Sequence, residues 1–363
     1  LCEAFHDKAP FEAKGIFGSG GTGPMVMQAA FNADDALYLV NMICDYPRGD
    51  RGSAARLQWE GDVILGVKVL RVLARTWRSS VTEEAPPTWL LHGVPRLLVR
   101  LLSLRDCGDR VAVSCLELGI EILHGGNTSF QNSLHDIMSQ QEGAPDLFAH
   151  LQDRLRRGEE EGRMSKRLAF EPRPQRDLLE EYLRIGKQRD VHALIVQAAK
   201  NDVRVEASHV RLVIRFMHLL CEGHNELLQN FLRHQAGSSR AVDLVSAVAS
   251  YVDAVTPYIN PRIVCEVTTA MSALSEFVQN PCRANQMVLV DTRLCACANE
   301  ILDISADDET SAAHAVVDDA GGGGDHVVMK QEQERERARQ MRVGYQRAIN
   351  ELKAATATAL LSL

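Results

Sequence analysis

The sequence predicts an all-α fold built from stacked helix hairpins, and three observations lead to that prediction. Apolar residues recur with the ~3.6-residue period of a helix along most of the chain from Leu57 onward. Glycine, proline and asparagine residues divide these periodic segments into short pieces, as in helices joined by tight turns. No segment shows the apolar–polar alternation of a strand. Helix pairs of this kind stack into α-solenoids, although no fixed-period repeat is visible here.

The first half of the chain contains five predicted helices after a poorly defined and partly flexible start at residues 1–56. Within that start, Met25–Cys44 has room for one or two helices. The later helices are predicted from Leu57 to beyond Trp77, at Trp89–Leu104, from Asp109 to the Gly125-Gly126 pair, at Thr128–Met138 and at Asp146–Arg156. The charged run Arg154–Arg167 and the following Pro172-Arg173-Pro174 are interpreted as a linker.

Two local signals define the turn between the third and fourth helices. Gly125 and Gly126 are expected to end a helix, because glycine takes the left-handed conformation without a steric penalty. Asn127 is then expected to cap the next helix through its side-chain oxygen.

The second half is again predicted to be helical throughout. Helices are expected at Arg176–Gln188, Val191–Lys200, Ser208–Glu222, Asn225–His234, Val242–Asp253, Pro261–Gln279 and Gln286–Ile304, and from Met329 to about Leu361. Asn225 is the expected N-cap of its helix. The helical spacing of Leu227, Leu228, Phe231 and Leu232 assigns these four residues to the core. Asp307–Asp325, with four successive glycines, has the composition of a disordered linker.

Composition excludes several classes of function. Acidic residues outnumber basic ones, 48 to 40, which argues against a nucleic-acid binder that must neutralise phosphates. No apolar run reaches the ~18–20 residues needed to span a bilayer, so this segment is expected to be soluble. Nine scattered cysteines favour a reducing, cytosolic setting. The start at Leu1 is expected of a fragment of a longer protein or of an incomplete gene model.

Motifs that could carry chemistry are incomplete. The glycine-rich Gly18–Gly23 lacks the lysine and the strand–helix context of a phosphate-binding loop. Cys221 and His224 have a metal-ligand spacing, but Cys295 and Cys297 should lie on different sides of their helix, so zinc is disfavoured. The chain shows no pattern typical of an enzyme, and no catalytic residue is predicted.

Two glutamates near predicted helix ends are candidate cation ligands. Glu222 precedes the Gly223 break and Glu276 precedes Pro281. A carboxylate at a helix C-terminus faces the negative end of the helix dipole, which costs ~0.3–1 kcal/mol. A bound cation would reverse that penalty, and carboxylate and carbonyl oxygens are the ligands that Ca²⁺ prefers. From the residues alone, two solvated surface glutamates remain the simpler interpretation.

Three blocks in fixed order resemble one protein family. They are Asp109–Met138 (DRVAVSCLELGIEILHGGNTSFQNSLHDIM), Phe216–Gln235 (FMHLLCEGHNELLQNFLRHQ) and Ala273–Gln286 (ALSEFVQNPCRANQ). Each is similar to a segment of the inositol trisphosphate receptors and ryanodine receptors, the intracellular calcium-release channels. The first block and the ending Leu352–Leu363 favour inositol trisphosphate receptors.

The resemblance implies an armadillo-like α-solenoid with recognisable domains. Residues 57–165 would form the helical homology domain and residues 201–306 the associated homology domain. Residues 166–200 would connect them, and residues 307–328 would be a low-complexity linker before the C-terminal helix at 329–363.

In the resembling family, the glutamates matching Glu222 and Glu276 form a regulatory Ca²⁺ site with a backbone carbonyl from beyond the pore. That third ligand is not among these residues, so the resemblance implies an incomplete Ca²⁺ site in this chain.

The resemblance also implies a function. The chain would be a cytosolic regulatory segment of a homotetrameric channel in the endoplasmic reticulum membrane, relaying ligand binding to the pore. Its partners would be other domains of the parent channel and, through pore segments not present here, the membrane. A soluble helical-repeat scaffold without a pore is the alternative.

Overall fold

The computed structural model describes most of the chain. It covers residues 38–43, 53–79, 90, 93–104, 108–140, 144–169, 209–238, 240–304 and 325–363. Every regular element in these ranges is helical, which confirms the predicted all-α, solenoid-like class of helix hairpins. The helices predicted at Arg176–Gln188 and Val191–Lys200, residues 307–324 of the predicted linker at 307–328 and most of residues 1–56 lie outside the described residues.

Twelve α-helices are numbered here in chain order within the described ranges. They are α1 (Ser53–Ser79), α2 (Val94–Leu102), α3 (Asp109–Leu123), α4 (Thr128–Gln140), α5 (Ala144–Ala169), α6 (Val210–Cys221), α7 (Glu226–Arg233), α8 (Leu244–Val255), α9 (Val264–Val278), α10 (Arg283–Val290), α11 (Leu294–Asp303) and α12 (Asp325–Ser362). A short 3₁₀ turn, Thr256–Tyr258, follows α8.

The chain divides into two compact units, each made of two sequence segments. The first unit comprises Leu1–Gln152 and Arg215–Asp243, and the second comprises Asp153–Ile214 and Leu244–Leu363. The domain boundaries expected from sequence remain predictions.

The first unit is a set of packed helices around a core of aliphatic side chains and phenylalanines. Helix α1 packs along α3, α2 contacts both α3 and α4, and α7 contacts α4. Val67 and Leu70, which recur at helical spacing along α1, are fully buried. Burial of such side chains contributes ~1.5–3 kcal/mol each, so this apolar face anchors α1 to the unit.

A charged cluster also joins α1 to α3. The buried carboxylate of Glu121 lies 2.7 Å from guanidinium nitrogens of both Arg75 and Arg78, and Arg71 bonds Glu117. Burial raises the pKa of Glu121, but the Arg75 hydrogen bond and the charges of Arg78, Arg75 and Arg71 outweigh it, so the pKa lies below its usual value. The cluster therefore holds Glu121 ionised inside the unit.

The second unit is built around α9, which packs along α12, and around α8, which contacts α9, α10 and α11. Tyr251 and Phe277 are among its largest fully buried side chains. Asn260 is also buried, and its amide donates to Ser165 Oγ at 2.7 Å and to the carbonyl of Tyr258 at 2.8 Å. These bonds satisfy a polar group that would be costly to bury alone.

The interpretation of Arg154–Arg167 as a linker is wrong, because α5 continues through it to Ala169. Two glycines in this run have a packing role. A Cβ at Gly158 would lie 2.8 Å from Val210, and one at Gly162 would lie 2.6 Å from Val255, so each glycine admits a neighbouring valine. Most of the described charged side chains of this run are exposed or partly exposed, whereas Arg154, four residues before Gly158, is buried.

The prediction of a single helix at Gln286–Ile304 is also wrong, because this segment contributes to two helices, α10 and α11. Thr292 explains the interruption. Its hydroxyl donates to the carbonyl of Leu289 at 2.6 Å and accepts the N–H of Leu294 at 3.2 Å, so it replaces helical backbone bonds. In the described part of the chain, no helix combines the length and the apolar character needed to cross a membrane.

Candidate functional site

Glu222 lies in the turn that follows α6. The helix ends at Cys221, and the chain then reverses through two left-handed residues, Gly223 (φ +80°) and His224 (φ +62°). Asn225 begins α7, where its side-chain oxygen accepts the N–H of Leu228 at 3.2 Å, which confirms the predicted N-cap. This turn fixes the backbone on both sides of Glu222, and the glutamate side chain is partly exposed.

The side chain of Glu222 contacts a second turn, the one between α3 and α4. The amide N–H of Gly126 is shared between Glu222 Oε2 and the carbonyl of Leu123, each at 3.1 Å. Gly125 (φ +83°) and Gly126 (φ +70°) both take the predicted left-handed conformation. Asn127 then caps α4 by accepting the N–H of Phe130 at 3.1 Å, as the sequence predicted. The first two sequence blocks therefore meet at the carboxylate of Glu222.

Gln131 of α4 binds backbone carbonyls at the start of the same turn. This side chain is 1% exposed, and its amide nitrogen donates to the carbonyls of Leu219 and Glu222 at 2.9 and 2.8 Å. Its amide oxygen accepts from Asn225 Nδ2 at 3.1 Å. Both donors and the acceptor of Gln131 are thus satisfied, and Glu222 is contacted at its carbonyl as well as at its carboxylate.

Apolar contacts of α7 support the turn from the other side. Leu228, Phe231 and Leu232 are buried as predicted. The ring of Phe231 packs edge-on against Phe148 at a centroid distance of 5.5 Å. The assignment of Leu227 to the core is wrong, since it is 58% exposed. It lies one residue, about 100° around the helix, from Leu228 and so falls outside the buried face.

Glu276 lies near the C-terminal end of α9, in the second unit, and is partly exposed. The residues around it connect α9 to neighbouring segments. Asn285 donates to the carbonyl of Phe277 at 2.8 Å, and Ser275 Oγ lies 3.0 Å from Ser362 Oγ. These bonds fix the last turn of α9, on which the Glu276 carboxylate is carried.

The two predicted ligands suit Ca²⁺ in their chemistry, because carboxylate oxygens are the hard donors that this ion prefers. Ca²⁺ takes ~6–8 oxygen ligands, however. Among the described residues, no group of three or more His, Cys, Asp or Glu side chains is arranged to hold a metal ion. Glu222 and Glu276 lie in different units. Each offers a carboxylate, and the described residues do not complete a site.

The cysteines of α11 follow the prediction that they lie on different sides. Cys295 is exposed, while Cys297 is buried and donates its thiol proton to Asp253 Oδ1 at 3.4 Å. Burial and the hydrogen bond to Asp253 raise the pKa of Cys297 to about 11, so its thiol stays protonated. A protonated thiol is a poor metal ligand.

Gln131 is the residue of this site that sequence reasoning missed. A signal was present, since Gln131 is three and seven residues before Leu134 and Met138, which are both buried on α4. A glutamine on the apolar face of a helix indicates a specific hydrogen-bond partner, because its amide is costly to bury unbonded.

Comparison with known proteins gives a family match and matches to individual proteins. Residues 205–302, which include Glu222 and Glu276, match the family described as RyR and IP3R Homology associated. The inositol 1,4,5-trisphosphate receptor itr-1 of Caenorhabditis elegans is 36% identical over 91 residues, covering 22% of this chain. The matched stretch spans only 3% of that receptor's length.

Proposed function

We propose that this chain is a cytosolic regulatory segment of an intracellular calcium-release channel, because residues 205–302 match the family described as RyR and IP3R Homology associated. Its parent would resemble the inositol trisphosphate receptors, with a pore in the endoplasmic reticulum membrane and four copies of the chain. The segment itself would be non-catalytic and would relay ligand binding to that pore. The family match at 205–302 is the observation that carries this proposal.

Within that function, Glu222 and Glu276 would act as Ca²⁺ ligands, completed by oxygen atoms from elsewhere in the parent. The ion would supply positive charge that neutralises two carboxylates at helix ends. Glu222 supports this role because its carboxylate is held by the neutral N–H of Gly126. A neutral donor orients the carboxylate and leaves its charge available to a cation.

A solenoid of packed helix pairs suits a relay. Small rotations at successive helix contacts add up along such an array. Helix α9, which carries Glu276, packs along α12, so a change at the end of α9 would reach the C-terminal helix directly.

The proposal is tested first on the gene and then on the channel. The full-length transcript should encode paired apolar spans around a pore filter, and a transcript without them would favour a poreless scaffold. Ca²⁺ release should then be recorded from the parent channel over a series of Ca²⁺ concentrations.

We expect Glu222→Gln to raise the Ca²⁺ concentration for half-maximal activation roughly tenfold or more, because the ion loses a charged ligand. Glu226→Gln is the matched control, since Glu226 is exposed four residues further along the same unit. Equal Ca²⁺ responses of the two variants would remove Glu222 from the sensor.

A further inference from the structure

We infer that Gln131 is a positioning residue for Glu222, and that the turn between α3 and α4 sets how well Glu222 binds Ca²⁺. The inference rests on the proposed function, because it takes Glu222 to be a Ca²⁺ ligand. It concerns residues 91 or more positions apart in sequence, which only the fold brings together.

Three hydrogen bonds fix the orientation of the Gln131 amide. Its nitrogen meets two carbonyl oxygens, of Leu219 and Glu222, and its oxygen meets Asn225 Nδ2. Turning the amide over would set an oxygen against two carbonyls and a nitrogen against a donor. The side chain therefore has a single satisfied orientation.

Asn225 is fixed in the same way. Its oxygen is used by the N–H of Leu228, which leaves its nitrogen for Gln131 at 3.1 Å and Asn132 at 3.4 Å. The N-cap of α7, the amide of Gln131 and the last carbonyls of α6 thus form one continuous network. Glu222 lies in the turn that this network encloses.

The network also explains the contact at Gly126. The backbone of Gly126 approaches Glu222 closely, since a Cβ at Gly126 would lie 3.5 Å from the Glu222 carbonyl oxygen. While Gln131 holds that carbonyl, the Glu222 carboxylate stays within reach of the Gly126 N–H. If Gln131 releases it, the turn gains freedom and the bond to Gly126 weakens.

A carboxylate that is already held in one place loses less conformational freedom when a cation binds, so the affinity is higher. Removing residues that orient metal ligands typically lowers metal affinity ~10–100-fold. We therefore assign to Gln131 a contribution to Ca²⁺ affinity made through Glu222, without contact with the ion.

The first measurement uses the 363-residue chain in calcium-free buffer, with hydrogen exchange read at the Gly126 amide. Gln131→Met removes the amide at nearly constant volume. We expect it to speed exchange at Gly126 roughly threefold, because the N–H loses part of its bond to Glu222 but keeps its bond to the carbonyl of Leu123. Unchanged exchange at Gly126 would overturn the inference whatever the channel does.

The matched control is Gln235→Met. Gln235 is also a buried glutamine of the first unit, and its amide bonds the carbonyls of Phe231 and Val242 at 2.6 and 3.0 Å. This variant should cost similar stability but leave Gly126 exchange and Ca²⁺ sensitivity unchanged. An equal effect of both variants would mean that Gln131 is structural only.

The second measurement is Ca²⁺ activation of the parent channel. Gln131→Met should raise the half-activating Ca²⁺ concentration by about tenfold. Asn225→Ser keeps an N-cap oxygen but loses the bond to Gln131, so it should act in the same direction and serves if Gln131→Met fails to fold.

The outcomes separate the two ideas. The inference is overturned, and the proposed function stands, if the half-activating Ca²⁺ concentration shifts for Glu222→Gln but not for Gln131→Met or Asn225→Ser. No shift for Glu222→Gln overturns both. Shifts for all three, with none for Gln235→Met, support the positioning role.

Discussion

Replacing Gly162 of α5 by alanine tests the close contact between α5 and Val255 in the second unit. Alanine in place of glycine inside a helix normally stabilises a protein by about 1 kcal/mol, because the unfolded chain loses freedom. At Gly162 the new Cβ would lie 2.6 Å from Val255 Cγ1 and 3.3 Å from its Cβ. Val255 is fully buried and branches at its own Cβ, so it has no flexible end to move aside.

The size of the effect follows from these distances. Ordinary contact begins at 3.4 Å, so α5 must withdraw by most of an ångström. Such overpacking costs about 1–3 kcal/mol. The same withdrawal stretches the 2.7 Å bond between Asn260 and Ser165, three residues further along α5, at a cost of about 1 kcal/mol. After the propensity gain, Gly162→Ala should destabilise the unit by about 1–3 kcal/mol.

Gly344→Ala is the control in the same unit. Gly344 lies in α12, is exposed, and a Cβ there would meet no atom within 4 Å. This variant should stabilise the unit by about 0.5–1 kcal/mol. Urea unfolding followed by circular dichroism should therefore move the midpoint in opposite directions for the two variants. A midpoint raised equally by both would refute the close contact between α5 and Val255.

Two further predictions concern the dependence of stability on pH. Burial, together with the positive charge of Arg215, lowers the pKa of His218 from 6.5 to about 4. The free energy of unfolding should therefore fall as the pH drops from about 6.5 to 4, because the unfolded chain takes up a proton that the folded chain does not. His218→Gln should reduce that fall by at most about 3 kcal/mol, which urea midpoints across this range would show, and an undiminished fall would contradict the burial of a neutral His218. Glu121 has a lowered pKa, so its contribution is present above its ordinary value of 4.5 and is lost as the pH falls through the folded pKa. Glu121→Gln should therefore lower stability at pH 7 more than at pH 3, and an equal loss at both would contradict the role of the arginine cluster.

The sequence predicted the helical class and most helix positions because those depend on local signals. Apolar residues at helical spacing identify a buried face, and Asn127 and Asn225 identify helix starts by the same side-chain bond. Gly125 and Gly126 identify a helix end because both need positive φ. Each of these signals acts within about four residues and needs no knowledge of the rest of the fold.

The errors occurred where distant residues decide the outcome. The charged run Arg154–Arg167 has the composition of a linker, but its glycines Gly158 and Gly162 make room for valines that are distant in sequence. The exposure of Leu227 depends on which face of α7 meets α4. Gln131 looked like an ordinary helix residue until the fold brought Glu222 to it. The sequence pattern alone does not identify any of these distant partners.

Two glutamates of the first unit show how the partners of a carboxylate separate structural from functional roles. Glu121 is surrounded by guanidinium groups, so its negative charge is neutralised within the fold. Glu222 is held by the neutral N–H of Gly126, and its carbonyl by the neutral amide of Gln131. Neutral donors fix a carboxylate in place and leave its charge unmatched, which is what a cation ligand requires. A lysine at position 131 would keep a donor but add a charge, so Gln131→Lys should weaken Ca²⁺ binding even if the turn stays ordered.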